Sequence, residues 1–308
     1  MIIVIGHKNP DTDSVAAAEM FARFLEKEGK EAKAAVAGEV NKETEFVFSR
    51  IEKELPEVIK EEEKEERSVF LVDHNDPAQS IAKENELLGV LDHHHLAGLS
   101  TNEAIYFRVE PVGSTCTIIY GMMKDREMEV GKEEAVLLLS GIISDTLNLT
   151  SSTTTTDDID RYHELADIAD LDPENYAKEM FEAKSDFSDT KMKDIVKGDF
   201  KEYEFGEKKV GVGVAETTSL KFFNENEEEL MKTIQEVKEE EGFDIFLFGV
   251  VDIIEQNTWL YPAGEEERKV AREVLEGEEK KACFLLEGVT SRKKEIIPPL
   301  SEHLKGKS

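Results

Sequence analysis

A short apolar run at residues 2–5 ends in Gly6-His7-Lys8-Asn9-Pro10-Asp11-Thr12-Asp13. A later run ends in Asp73-His74-Asn75, the next in Asp92-His93-His94-His95, and an apolar helical stretch closes on Ser144-Asp145-Thr146. Carboxylates with a few imidazoles suit a divalent ion of intermediate hardness such as Mn²⁺, with Co²⁺ or Mg²⁺ as alternatives. Without cysteines in these clusters, a structural zinc site is disfavoured. Six or more ligands exceed the needs of one catalytic ion. Two ions about 3.5–4 Å apart that share a carboxylate use them better. Each cluster alone has a plainer explanation. A single Asp-x-Asp in a loop is usually a turn or a helix cap, and a single His after a strand is usually a hydrogen-bonded core residue. Four clusters in succession make coincidence a poor account. A basic segment stands apart near the C-terminus, Ser291-Arg292-Lys293-Lys294, which alone reads as an exposed turn.

The elements that must position these residues follow from the apolar pattern. Strands are expected at 2–5, 33–37, 69–72 and 87–91, and helices at 14–28 and from about residue 42, with Gly29 as a stop signal. This alternation predicts a parallel sheet flanked by helices, and such sheets form sites at the carboxyl ends of their strands. Apolar helices are expected at 115–123 and 133–144. The polar run at 151–156 reads as a loop and helix N-cap, with Asp157 and Asp158 in the first turn. Helix continues to about residue 183. The chain then divides in our reading: a metal-binding domain at 1–183, a linker at 184–189, and a smaller α/β domain with a mixed sheet at 190–308. Strands at 210–214, 245–251, 258–261 and 283–286 alternate there with acid-rich helices at 227–240 and 265–275.

Composition limits the partners. Acids number 69 against 38 bases, a net charge of −31 over 308 residues, which opposes binding to nucleic-acid backbones and anionic membranes. No apolar run approaches the ~20 residues of a membrane span. The N-terminus lacks the basic region, long apolar core and cleavage site of a signal peptide. Cys116 and Cys283 are the two cysteines and read as reduced core residues. These features point to the cytoplasm.

The series GHKNPDTD, DHN, DHHH and SDT, closed by SRKK, resembles the manganese-dependent, family II inorganic pyrophosphatases of the DHH phosphoesterase superfamily, over essentially the whole chain. The resemblance implies two Mn²⁺ held by His7, Asp11, Asp13, Asp73, His93 and Asp145, with Asp73 bridging. It implies substrate contacts from His94, Lys201, Arg292 and Lys293, and an additional Mg²⁺ arriving with the substrate as an option. The implied reaction is hydrolysis of inorganic diphosphate to two phosphates by a metal-bridged hydroxide in a two-metal site. The resemblance also implies that the active site lies in the cleft between the domains. Charge agrees with that reading: four ligand carboxylates balance two divalent ions, and Arg292, Lys293, Lys201 and His94 are then the cations available to a diphosphate. An exopolyphosphatase typically has Asn in place of His7, and the nuclease relatives carry a glycine-rich C-terminal motif not found here. Some regulatory relatives carry a nucleotide-sensing insert, for which the gap from Asp73 to Asp92 is too short, and the complete ligand set argues against a non-catalytic regulator. A homodimer through the metal domain is the form typical of bacterial relatives. Lys8, Lys294, His95, His163, His303 and Trp259 are read as surface or packing residues, and His74 as a hydrogen-bonding neighbour of Asp73.

The acidic runs at 61–66 and 227–229 concentrate like charge. Raising KCl from low to moderate concentration should therefore raise the melting temperature as repulsion is screened. Thermal melts that stay flat or fall over that range would contradict an unscreened acidic surface.

Overall fold

The computed structural model describes residues 1–60, 68–81, 86–206 and 208–305, and the acidic run at 61–66 lies outside them. The chain forms two compact units, Met1–Ala183 and Lys184–Ser308. In the first, the strands are β1 (Ile2–Ile5), β2 (Ala32–Val36), β3 (Glu57–Val58), β4 (Ser68–Val72), β5 (Glu86–Asp92) and β6 (Tyr106–Val109). The helices are α1 (Thr12–Lys27), α2 (Lys42–Arg50), α3 (Thr115–Asp125), α4 (Lys132–Thr146), α5 (Thr156–Ala169) and α6 (Pro173–Lys184). The sheet order is β3-β2-β1-β4-β5-β6 and every pairing is parallel.

That order contains a reversal. The chain steps outward from β1 to β2 and β3, then returns to lay β4 on the free side of β1. The loops leaving β1 and β4 diverge and open a crevice beyond the strand ends. His7 follows β1, Asp73 follows β4, and Asp92 and His93 end β5, so the topology brings them together.

Side-chain alternation separates the two faces of this sheet. Ile3, Ile5, Ala35, Val69, Leu71 and Val90 form one cluster, covered among the described residues by Ile59, Ile81, Leu99 and Ile105. Phe70 projects to the other face, where Phe21 of α1 meets it with ring centroids 4.5 Å apart. Helix α1 begins with Asp11 as N-cap, buries Ala16, Ala17, Ala18, Met20, Phe21 and Phe24, and stops at Gly29, whose φ of +78° suits glycine. Thr155 caps α5 and accepts from the Asp158 amide, with Asp157 and Asp158 in the first turn.

The second unit holds β7 (Phe200–Phe205), β8 (Lys208–Thr217), β9 (Ile245–Asp252), β10 (Asn257–Pro262), β11 (Glu278–Glu279) and β12 (Phe284–Leu286). Its helices are α7 (Met192–Gly198), α8 (Lys221–Glu225), α9 (Glu227–Glu241), α10 (Glu265–Glu273) and α11 (Ile297–Lys305), the last preceded by a π-helical turn at Arg292–Ile296. The sheet order is β11-β12-β10-β9-β8-β7, parallel between β8 and β9 and antiparallel elsewhere. Central β9 is buried along its whole length. Phe246, Phe248 and Val250 pack with residues of α7 and α9 on one face, with Trp259 partly buried there. Ile245 and Leu247 pack with residues of α10 and α11 on the other.

Two substantial strands lack a counterpart in the sequence reading. Edge strand β6 exposes Tyr106 and Phe107, and β7 interleaves Lys201, Glu202 and Glu204 with its aromatics, so neither shows a continuous apolar run.

Candidate metal centre

Asp73 occupies a left-handed backbone position, φ +62°, immediately after β4. Asp adopts this region more readily than most residues, but it remains a constrained conformation. The Asp73 amide donates to the Leu91 carbonyl at 2.9 Å, which fixes the turn. Its carboxylate is thereby set between two imidazoles: Oδ2 lies 3.3 Å from His7 Nε2 and Oδ1 lies 3.3 Å from His93 Nε2.

The remaining expected ligands join from the helices. Asp11 Oδ2 lies 3.4 Å from His7 Nε2, while its Oδ1 accepts the Ser14 amide at the start of α1. The helix cap and the candidate ligand are therefore the same side chain. Asp145 Oδ2 lies 3.2 Å from His93 Nε2. It sits in the last turn of α4, where the negative end of the helix dipole disfavours a carboxylate and favours a cation nearby. Asp13, fully buried in the first turn of α1, accepts from Ser114 Oγ and from the Thr115 and Cys116 amides at the start of α3.

Ligand atoms of His7, Asp11 and Asp73 lie within 4.8 Å of one another, and so do those of Asp13, Asp73, His93 and Asp145. The two groups share Asp73. Asp73 Oδ2 and His93 Nε2 are buried without a hydrogen-bond partner among the described residues. Buried polar atoms are seldom left so, and a cation would satisfy both. The imidazole tautomers agree: His7 Nδ1 donates to the Lys8 carbonyl at 2.8 Å and His93 Nδ1 to the Val112 carbonyl at 3.0 Å, which leaves each Nε2 lone pair for a metal. The donor set fits two divalent ions of the Mn²⁺ type.

Electrostatics express the same demand for positive charge. Burial disfavours a charged His7, yet Asp11 and Asp73 outweigh it and raise the group to about 11. His93 likewise is raised to about 12 by Asp145 and Asp73 against its burial. Burial would raise Asp73, but the two imidazoles beside it hold it below the usual carboxylate range. Burial, then the neighbouring Asp73, lifts Asp13 to about 6, and burial followed by Asp13 pushes Asp145 well up.

His94 stands beside this cluster. Its Nδ1 is 2.9 Å from Asp92 Oδ1, which also accepts the His93 and His94 amides. Asn75 Nδ2 donates to the other Asp92 oxygen at 2.6 Å. Asp92 raises His94 above its ordinary value and leaves Nε2 as the outward donor. A cavity of about 390 Å³ opens here, lined by His7, Lys8, Asp73, Asn75, Gln79 and His94 among others. His95 is exposed, and His74 is buried with Nδ1 donating to the Val72 carbonyl.

The sequence reading assigned no role to Asp92, Asn75, Thr115 or Glu43. Thr115 Oγ1 donates to Asp73 Oδ1 at 2.9 Å. Buried Glu43 accepts from Thr12 Oγ1 and Ser144 Oγ, both at 2.8 Å, and so ties the residues flanking Asp11, Asp13 and Asp145 to one carboxylate. Two glycines permit the close packing. A Cβ on Gly141 would fall 2.5 Å from both Asp13 Oδ1 and Cys116 Sγ, and one on Gly6 would fall 1.8 Å from Ser14 Oγ.

The three basic residues expected to meet substrate belong to the second unit. Lys201 lies on β7 opposite Val212, whose carbonyl accepts from Arg292 Nη1 at 3.3 Å, so both cations meet one rung of that sheet. Lys293 is exposed in the π-helical turn that Arg292 opens, a distortion often found at functional positions.

Fold and site define the DHH class: the N-terminal domain model of the DHH family matches residues 1–142, and the DHHA2 domain model matches residues 178–303. The chain is 37% identical over 303 residues to the manganese-dependent inorganic pyrophosphatase of Bacillus subtilis, covering 98% of each chain. It is 38% identical over 304 residues to a Bacillus pumilus protein assigned the same name, again covering 98% of each. A solved Methanococcus jannaschii structure assigned to the family II inorganic pyrophosphatases aligns with TM-score 0.62 and 35% identity, covering 99% of this chain and all of that one. The chain belongs to the manganese-dependent, family II inorganic pyrophosphatases.

Two outcomes follow from this geometry. Because His7 and His93 are held protonated near neutral pH, Mn²⁺ binding should release more than one proton per chain, and apparent affinity should weaken as pH falls from 8 to 6. Calorimetry in buffers of different ionisation enthalpy measures this, and a proton-neutral titration would contradict the assignment of these imidazoles. Gly141→Ala should lower the melting temperature and weaken Mn²⁺ binding about tenfold or more by pushing on Asp13. Unchanged metal affinity would show that the α1–α4 contact does not set the ligand position.

Proposed function

We propose that the protein hydrolyses inorganic diphosphate to two phosphates, with His7, Asp11 and Asp73 holding one Mn²⁺ and Asp13, Asp73, His93 and Asp145 holding a second. The observation that carries this reading is the Asp73 carboxylate, with one oxygen beside each imidazole. Two divalent ions bound there would acidify a water molecule and offset the charge of diphosphate. Asp92 and Asn75 orient His94, whose Nε2–H binds a phosphate oxygen and supplies a proton to the departing phosphate. Lys201, Arg292 and Lys293 bind the remaining phosphate oxygens, the arginine through its planar fork and the lysines as point charges. No side chain is required as a covalent nucleophile.

Other features support the finer assignments. Cys116 and Cys283 are free and buried, consistent with a reducing cytoplasm. No helix among the described residues is long and apolar enough to cross a membrane. The net charge of −31 opposes nucleic-acid binding. Edge strand β6, with Tyr106 45% and Phe107 43% exposed, is the surface on which we place a homodimer contact.

Phosphate release from diphosphate with and without Mn²⁺ tests the reading, with metal analysis on the same preparations. Asp73→Ala should abolish turnover and bind fewer than two ions per chain; a variant with two ions and a normal rate removes the bridge. Arg292→Ala and Lys293→Ala should keep their metals while kcat falls roughly 10²–10³-fold. Rates within about twofold of wild type for both would end the proposed phosphate grip.

A further inference from the structure

Asp199 is the one side chain among the described residues to which Arg292 hydrogen-bonds. It follows α7 and precedes β7, and its carbonyl accepts the Val214 amide at 2.9 Å, so its backbone is pinned to β8. Arg292 Nη1 donates to that same carbonyl at 2.8 Å, and Nη2 donates to Asp199 Oδ1 at 3.0 Å. The second Nη1 hydrogen reaches the Val212 carbonyl at 3.3 Å. One residue therefore takes both terminal nitrogens of the guanidinium. The edge carrying Nε–H and the remaining Nη2–H has no acceptor among the described residues. Those two donors form a second fork of the geometry that a phosphate accepts bidentately.

We propose that Asp199 is a positioning residue for diphosphate binding, holding Arg292 by its terminal nitrogens so that the side fork is presented to a phosphate group. The inference rests on the reading of Arg292 as a phosphate ligand. An arginine held only by solvent would lose its rotamer freedom when substrate arrives, whereas here the ordering is completed on folding. The bond spans residues 199 and 292, joining the start of β7 to the π-helical turn. Lys201 projects from the same strand two residues later, on the face that carries Val212 and Phe205, so the anchor also fixes the spacing of the two cations.

Asp199→Asn and Asp199→Ala remove the same charge but differ in the acceptor that Arg292 needs. Asp199 is 54% exposed, so neither substitution disturbs a core. In the Mn²⁺-loaded protein, kcat/KM for diphosphate should be about five- to tenfold higher for the Asn variant than for the Ala variant, chiefly through KM. The calorimetric Kd for imidodiphosphate should follow the same order. In an Arg292→Ala background the Asn-to-Ala ratio should shrink to within about twofold, because the effect acts through Arg292. Equal Asn and Ala variants alongside an impaired Arg292→Ala would overturn the role of Asp199 alone, as would a ratio that persists without Arg292. An Arg292→Ala enzyme with wild-type kinetics would overturn the reading of Arg292 itself and this inference with it.

Discussion

Asp73 stands between two imidazoles with one carboxylate oxygen on each, and the first unit is arranged to keep it there. Asp11, Asp13 and Asp145 approach the same small volume, so the fold must hold four carboxyl groups together. Two helix N-termini help: α1 begins at Asp11, and the first amides of α3 point at Asp13. Asp145 receives no such help, since it ends α4 at the negative pole of the dipole. Its position favours positive charge close by, which His93 supplies at 3.2 Å, and that local imbalance agrees with the partnerless Asp73 and His93 atoms.

The ligand types and the strands that deliver them were legible because both are local properties of the sequence. A buried parallel strand is a short apolar run, and a residue placed just past its end is placed in the crevice. The supporting carboxylates were illegible for the opposite reason. Glu43 acquires its meaning from Thr12 and Ser144, the latter 101 residues away, and Asp13 from an α3 terminus equally distant. No spacing rule relates such partners before the chain is folded. Asp11 shows a subtler limit: capping and metal binding look like competing explanations in the sequence, but one carboxylate oxygen caps the helix and the other faces His7.

The second unit handles charge differently. Its cations sit on and beside a sheet whose central strand is wholly buried, and Arg292 is anchored through backbone carbonyls and one exposed carboxylate. The first unit gathers negative charge around an interior point that calls for ions. The second keeps its positive charge at the margin of a hydrophobic layer, with Lys201 and Lys293 exposed and Arg292 largely buried. The two units thus place opposite charge in opposite settings.

The crossover topology has a consequence for how the protein is made. The candidate ligands run from His7 on the first loop to Asp145 at the end of α4, with β2, β3 and the return to β4 in between. A nascent chain still short of α4 holds an incomplete ligand set, however well its first strands have paired. In the proposed assignment His7, Asp11 and Asp73 are all present once β4 has emerged, whereas the group that includes Asp145 is complete only with α4. The two proposed sites would thus be completed in turn as the chain emerges, the one around His7 before the one around Asp145.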